Sequence, residues 1–369
     1  MLEIQPVKSR RERAEFIRLP RSIYPKASPW VRPPDMVVNG YLDETNPFFR
    51  NGVGQAFLVR RDQTPVGRIM AHVWKRHQRL HGERVGYFGF FECENDPHSA
   101  SLLFEAAMEF VREHHCEILR GPFNMTGMQE AGILIDGFDR APAVDMIYTA
   151  PWYPALLANY GFQKCLEMET RSNENVTSVD PDAAVAHYRT PGGTGVVRLR
   201  HLSSLRRNAE MELVREVVNA SFLGNWGFVP INREEWELQT AALLPILDPS
   251  LVILAMVQGV AVGVTLAVPD FNRVFRKTNG WLLHPASLLL FGKSRLKEVV
   301  VILCAVRKQY QGLGIARLLN AELLHNMRKR GYRSLSTTWI GGENTPSLAS
   351  TDAFGMTRRH RVAMYERPV

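Results

Sequence analysis

Val299-Val-Val-Ile-Leu-Cys-Ala-Val306, Arg307-Lys-Gln-Tyr-Gln-Gly-Leu-Gly-Ile-Ala316 and Arg317-Leu-Leu-Asn-Ala-Glu-Leu-Leu-His-Asn-Met-Arg-Lys-Arg330 follow one another in the second half of a 369-residue chain. The first run is unbroken and β-branched, which predicts a buried strand. The last carries Ile315, Leu318, Leu319, Leu323 and Met327 at helical spacing, which predicts an amphipathic helix. Between them Gly312 and Gly314 allow close backbone approach to a ligand. The helix that follows offers uncapped N–H groups and the positive end of its dipole. Strand, glycine turn and helix in this order predict a phosphate or pyrophosphate site.

Two glycine-loop chemistries fail at named positions. A Walker loop needs Gly-Lys-Ser/Thr, and the chain reads Gly314-Ile315-Ala316. A dinucleotide fingerprint needs a small residue where Arg317 stands and an acid closing the next strand, which reads Ser334-Leu-Ser-Thr-Thr-Trp339. The remaining pattern, Gln/Arg-x-x-Gly-x-Gly/Ala, is met by Gln311, Gly314 and Ala316. It resembles the acetyl-CoA loop of the GNAT superfamily of N-acyltransferases, which also lies between a buried strand and a long helix.

The stretch Phe57 to Gly67 aligns without a gap on Ile253 to Gly263, and Tyr160-Gly161-Phe162 resembles Phe354-Gly355-Met356. Both halves read strand, helix, strand, so the chain is expected to repeat one fold. The expected class is α+β (mixed α/β): two tandem GNAT-like domains, each a twisted mixed sheet flanked by helices. Residues 1–170 form the first, 171–195 a polar linker and 196–369 the second. Where the second half has its glycines, the first has Glu92-Cys-Glu-Asn-Asp-Pro97. Carboxylates there repel pyrophosphate, which predicts a degenerate first domain and one acyl-CoA site per chain. Leu19-Pro20, Asn46-Pro-Phe-Phe49, Arg120-Gly-Pro-Phe-Asn124 and Asn225-Trp-Gly-Phe228 extend the resemblance, to uncharacterised bacterial proteins of about this length with two GNAT-like domains.

That resemblance implies a donor, acetyl-CoA, with no metal. Gln311, Gly312, Leu313, Gly314, Ile315 and Ala316 would hold the pyrophosphate, and the backbone of Cys304, Ala305 and Val306 the pantetheine arm. Asn344 would contact that arm as well as capping a helix at Thr345-Pro346. The family's usual tyrosine acid is absent: its place falls on Thr351, after Ser350. Tyr365 is then the nearest candidate acid. Phe222 to Trp236 fits the loop covering the acceptor, with Glu235 a candidate base or simply a first-turn glutamate. Cys304 reads as core packing and not as a nucleophile.

The function expected from this resemblance is transfer of an acetyl group to a small-molecule amine by direct attack. The rival is a non-catalytic acyl-CoA sensor or interaction scaffold. A net charge of +8 and a pI near 9.4 suit an anionic ligand, but the 45 Lys and Arg are dispersed, which excludes a nucleic-acid surface. Four cysteines without a Cys-x-x-Cys suit a reducing, cytoplasmic setting. Leu251 to Val268 is apolar except for Gln258, but Asp248 and Asp270 flank it. It is therefore expected as two buried strands and not as a membrane span. No membrane partner is expected, and a homodimer is left open. His72, His77 and His81 alternate with Lys and Arg and are expected on a surface.

Overall fold

The computed structural model describes residues 1–126, 130–181, 197–241, 243–244, 247–278 and 296–369. It divides into two compact units. The first holds Met1–Glu169 and the chain's end, His360–Val369; the second holds Thr170–Val274 and the described residues from 296 to Arg359.

In the first unit β1 (Leu2–Pro6), β2 (Gly52–Arg61), β3 (Thr64–Trp74), β4 (Val85–Cys93) and β5 (Ile118–Gly121) lie in sheet order, followed by the last strand of the chain, Thr357–Pro368. The pairs are antiparallel except β4 with β5. That parallel step is made by the helix α1 (Pro97–Glu113), whose Leu103, Phe104, Ala107 and Val111 are fully buried.

The second unit repeats the plan. β6 (Arg198–His201), β7 (Val252–Val257), β8 (Val260–Pro269), β9 (Glu298–Val306) and β10 (Ser334–Thr337) are neighbours in that order. Only β9 with β10 is parallel, and the helix α2 (Ile315–Arg330) joins them. Ile315, Leu319, Leu323 and Met327 bury its inner face against Ile253, Val262 and Val299. The two hairpins turn alike: Asp62-Gln63 and Gln258-Gly259 all have positive φ, the geometry that matches strand twist in a two-residue loop. Leu251 to Val268 is thus a buried hairpin, and among the described residues no helix is long and apolar enough to cross a membrane.

The structure differs from the sequence reading in three places. Arg171 to Asn173, expected as linker, continue the strand Gln163–Asn173, with Leu335 opposite Asn173; residues 182–195 of that expected linker lie outside the described residues. The last ten residues, expected in the second domain, cluster with the first because Tyr365 to Pro368 pair with Gly121 to Ile118. His72 and His77 are buried and not on a surface: β3 gives way to a helix at Lys75, so the apparent alternation crosses a change of period.

Burial pushes His72 down to about 3, against a weaker pull from the Met70 backbone, and His77 down to about 4. Both are therefore neutral in the fold and take up protons on unfolding below about pH 6.5. These histidines cost no stability above that pH. Below it each is expected to remove ~1.4 kcal/mol per pH unit until its folded pKa is reached. Urea unfolding of the wild type and of His72→Phe at descending pH checks this, the stability difference between the two being expected to change by ~1.4 kcal/mol per pH unit below about pH 6.5. Equal slopes would refute it.

Candidate functional site

The loop between β9 and α2 is built by backbone conformation. Lys308–Tyr310 form one 3-10 turn, Gln311 is extended, and Gly312 and Gly314 adopt φ of +77° and +79°. Gln311 Nε2 donates to the Val306 carbonyl at 2.9 Å, tying the loop to the strand end. A Cβ at Gly312 would meet nothing within 4 Å, so the cradle is open there. Gly314 is the N-cap of α2 and supplies no side-chain acceptor, which leaves the first-turn N–H groups to a ligand.

The neighbouring strand edge is open too. β9 pairs with β10 only from Glu298 to Val301. Thr338 then closes the ladder, its N–H donating to Val301 O at 3.1 Å and its hydroxyl to Ile302 O at 2.8 Å. On the other side the ladder with β8 runs on to Val306 but shifts register between Leu266 and Ala267. Leu303 to Val306 therefore splay away from β10 and can pair with an extended amide ligand. Desolvation raises the Cys304 thiol pKa, and the Thr265 hydroxyl donates to its sulfur at 3.4 Å, both of which disfavour a thiolate there.

Asn344 caps the helix Thr345–Asp352, accepting from Ser347 N at 3.2 Å. Thr351 donates its hydroxyl proton to Leu348 O at 2.7 Å and accepts from Arg171 Nη1 at 3.2 Å; that proton is committed. Glu235 forms a capping box with Asn232: its carboxylate accepts from Asn232 N at 2.9 Å, and its N–H donates to Asn232 Oδ1 at 2.8 Å. Tyr365 belongs to the first unit, buried on the last strand opposite Gly121.

The first unit has the same strand edge and helix start, filled by its own side chains. β4 leaves β5 after Tyr87. Beyond that point Phe90 N donates to Asn124 Oδ1 at 2.7 Å, Cys93 N to the Tyr153 hydroxyl at 2.9 Å, and Trp152 Nε1 to Cys93 O at 3.0 Å. Asp96 caps α1, accepting from His98 N and Ser99 N, and it pairs with Arg61 at 3.0 Å. A carboxylate thus stands where the second unit leaves an uncapped helix end.

Two groups that the sequence reading passed over lie in this unit. Glu130 and Asp145 are exposed at the surface of this unit, and the protein packed around them pushes both up to about 7, with the nearby charges of Asp145 and Glu92 adding to Glu130. Asn124 Nδ2 donates to Glu130 at 3.2 Å. Neither acid lies in a motif, so only the folded surroundings mark them. Among the described residues no group of acids, histidines and cysteines has the geometry to hold a metal.

Residues 212–356 match the Acetyltransferase (GNAT) family. Over nearly its whole length the chain is 27% identical to Protein YghO of Escherichia coli K12, across 96% of this chain and 92% of that one. It is 28% identical to the bacterial ceramide synthase of Caulobacter vibrioides, across 99% and 97%. Among solved structures, a tandem GNAT protein from the clavulanic acid biosynthesis pathway superposes with a TM-score of 0.57 at 13% identity, covering 100% of this chain and 98% of its own. A probable N-acyltransferase from Enterococcus faecalis V583 gives 0.53 at 10%, covering 100% and 73%. Residues 212–356 of the second half are thus similar to GNAT acetyltransferases, and the chain has the fold of a tandem GNAT protein.

Proposed function

We propose that this chain, whose second half is similar to GNAT acetyltransferases, is an acyl-CoA-dependent N-acyltransferase with one donor site, and that its acceptor is a small-molecule amine bearing a long apolar chain. The observation that carries the donor site is the contrast between the two helix starts: Gly314 leaves α2 uncapped, whereas Asp96 caps α1. In this reading the first unit, degenerate at its own donor site, supports the second.

The residues present fit the donor. N–H groups from Gly312 to Ala316 would bind the pyrophosphate, and the splayed edge from Cys304 to Val306 would pair with the pantetheine amides and polarise the thioester carbonyl. Asn344, held at the N-terminus of its helix, would contact the same arm. When bound, the donor supplies an acyl group activated as a thioester. The acceptor nitrogen forms a bond to the carbonyl carbon while the C–S bond breaks, and the amine gives up one proton. Glu235 keeps the acceptor loop in place through its capping box and is the candidate to receive that proton. With the Thr351 proton on Leu348 O and Tyr365 in the first unit, the leaving thiolate draws its proton from water.

The expectation of acetyl transfer to an amine of unspecified kind is refined by one relative. The name "bacterial ceramide synthase" denotes a product with a fatty acyl group on the nitrogen of a long-chain amino alcohol, and similarity over almost both whole chains supports that acceptor class and a long acyl donor. Thiol release from acetyl-CoA and palmitoyl-CoA, with and without a long-chain amino alcohol, tests it. Release that needs both palmitoyl-CoA and the amine is expected. Tight acyl-CoA binding with no release to any amine would favour the sensor instead.

A further inference from the structure

The loop Phe222 to Trp236 is anchored at one end by the Glu235 capping box, but its other end is exposed. The helix Arg207–Phe222 stops with Leu223 as its C-cap, and a tight turn follows, Asn225 N donating to Phe222 O and Phe228 N to Asn225 O. Gly224 and Gly227, at φ of +89° and +63°, make the turn sharp enough to reverse the chain within a few residues. Phe222 and Phe228 meet edge to face at 5.7 Å and fix its base. Leu223 and Trp226 remain outside, 47% and 46% exposed.

A cation stands against this tip. A Cβ on Gly224 would stand 3.1 Å from Lys308 Nζ, so the turn lies against the start of the donor loop. Arg307 precedes Lys308 in the chain, and the stretches Val217 to Arg233 and Val299 to Ala321 hold no acid, Glu216, Glu234, Glu298 and Glu322 standing just outside them. An exposed Leu and Trp at the tip of a tight turn, with the Lys308 ammonium beside them, match the chemistry of the bilayer interface. An indole settles at headgroup level, an aliphatic side chain enters the acyl boundary, and cations meet the anionic surface.

We propose that the turn Leu223–Trp226 is a docking element by which the second unit rests on an anionic lipid surface. The expectation of no membrane partner came from the lack of a spanning segment, and surface docking needs none. A second copy of the chain is disfavoured as occupant: two side chains are far from the ~800 Å² per partner of a stable contact, and a two-fold contact would bring Lys308 toward its own copy. The inference rests on the geometry of the turn and not on acyl transfer. If both hold, the acceptor reaches the donor loop from the bilayer.

Flotation of the full-length protein with vesicles tests this without any CoA ligand. Recovery with phosphatidylcholine vesicles containing phosphatidylserine is expected, with little on phosphatidylcholine alone and a decline with added salt. The variant Leu223→Ser/Trp226→Ser, with a melting temperature like the wild type, is expected to lose at least ~tenfold in bound fraction, as removal of both interfacial side chains requires. Absence of binding to the anionic vesicles, or binding untouched by the double substitution, overturns the proposal. So does a dimer in sedimentation that the same substitution dissolves, since the tip then serves a second copy.

Discussion

Replacing Gly314 by Glu is expected to weaken acyl-CoA binding by at least ~100-fold, about 2.7 kcal/mol, while the fold is kept. Gly314 sits at φ +79° as the N-cap of α2. Any L-residue there carries a left-handed backbone strain of ~1–2 kcal/mol. A glutamate adds a carboxylate at the helix end where a pyrophosphate would lie, so it competes for the N–H groups and repels the ligand. Gly314→Ala separates the two effects, because it carries the strain without the charge. Calorimetric titration with acetyl-CoA is expected to rank wild type, Ala and Glu in falling affinity, with the wide gap between Ala and Glu. Equal affinity for wild type and Glu would remove the loop from the donor site. The first unit makes the same point in its native sequence, where Asp96 occupies the corresponding cap and accepts the first N–H groups of α1.

What could be read in advance was what neighbours in sequence decide. The donor loop was legible because strand, glycines and helix are contiguous, and the repeat was legible because Asp62-Gln63 and Gln258-Gly259 are local turns with local pattern on both sides. The place of Glu235 in a first helical turn was legible as well, and the fold adds its capping box with Asn232. Partners far along the chain left no trace. Strand composition announces the segment after Met356, but nothing in it says that Tyr365 pairs with Gly121. The filling of the first unit's strand edge by Asn124, Trp152 and Tyr153 is likewise a matter of tertiary placement. His72 and His77 were misread because periodicity was carried across Trp74, where strand becomes helix.

The same distant partners set the largest stability effect expected in the chain, at Glu92. Its Oε2 accepts from the hydroxyls of Tyr24 and Tyr153 at 2.7 Å each, and Oε1 lies 3.7 Å from Arg68, which stands opposite it in the β3–β4 ladder. All four side chains are buried. Arg68 also donates to Phe16 O at 2.7 Å and lies over the Phe16 ring, so it cannot swing out to water when its partner is removed. Desolvation raises the Glu92 pKa against the pull of Arg68 and the two hydroxyls. The network is therefore stable only while complete. Glu92→Ala leaves a buried guanidinium without its counter-ion, the Tyr153 hydroxyl without an acceptor and the Tyr24 hydroxyl with only the Tyr148 carbonyl at 3.4 Å, with an expected loss of ~3–5 kcal/mol. Glu92→Gln keeps an acceptor for the tyrosines and is expected to lose less. Arg68→Met/Glu92→Leu removes both charges together and is expected to regain most of the loss, because two apolar side chains of similar volume carry no desolvation penalty. Chemical denaturation of the wild type, Arg68→Met, Glu92→Leu and the double variant gives the coupling directly. Additive losses in the double variant would mean that Arg68 and Glu92 act separately, each held by its other contacts.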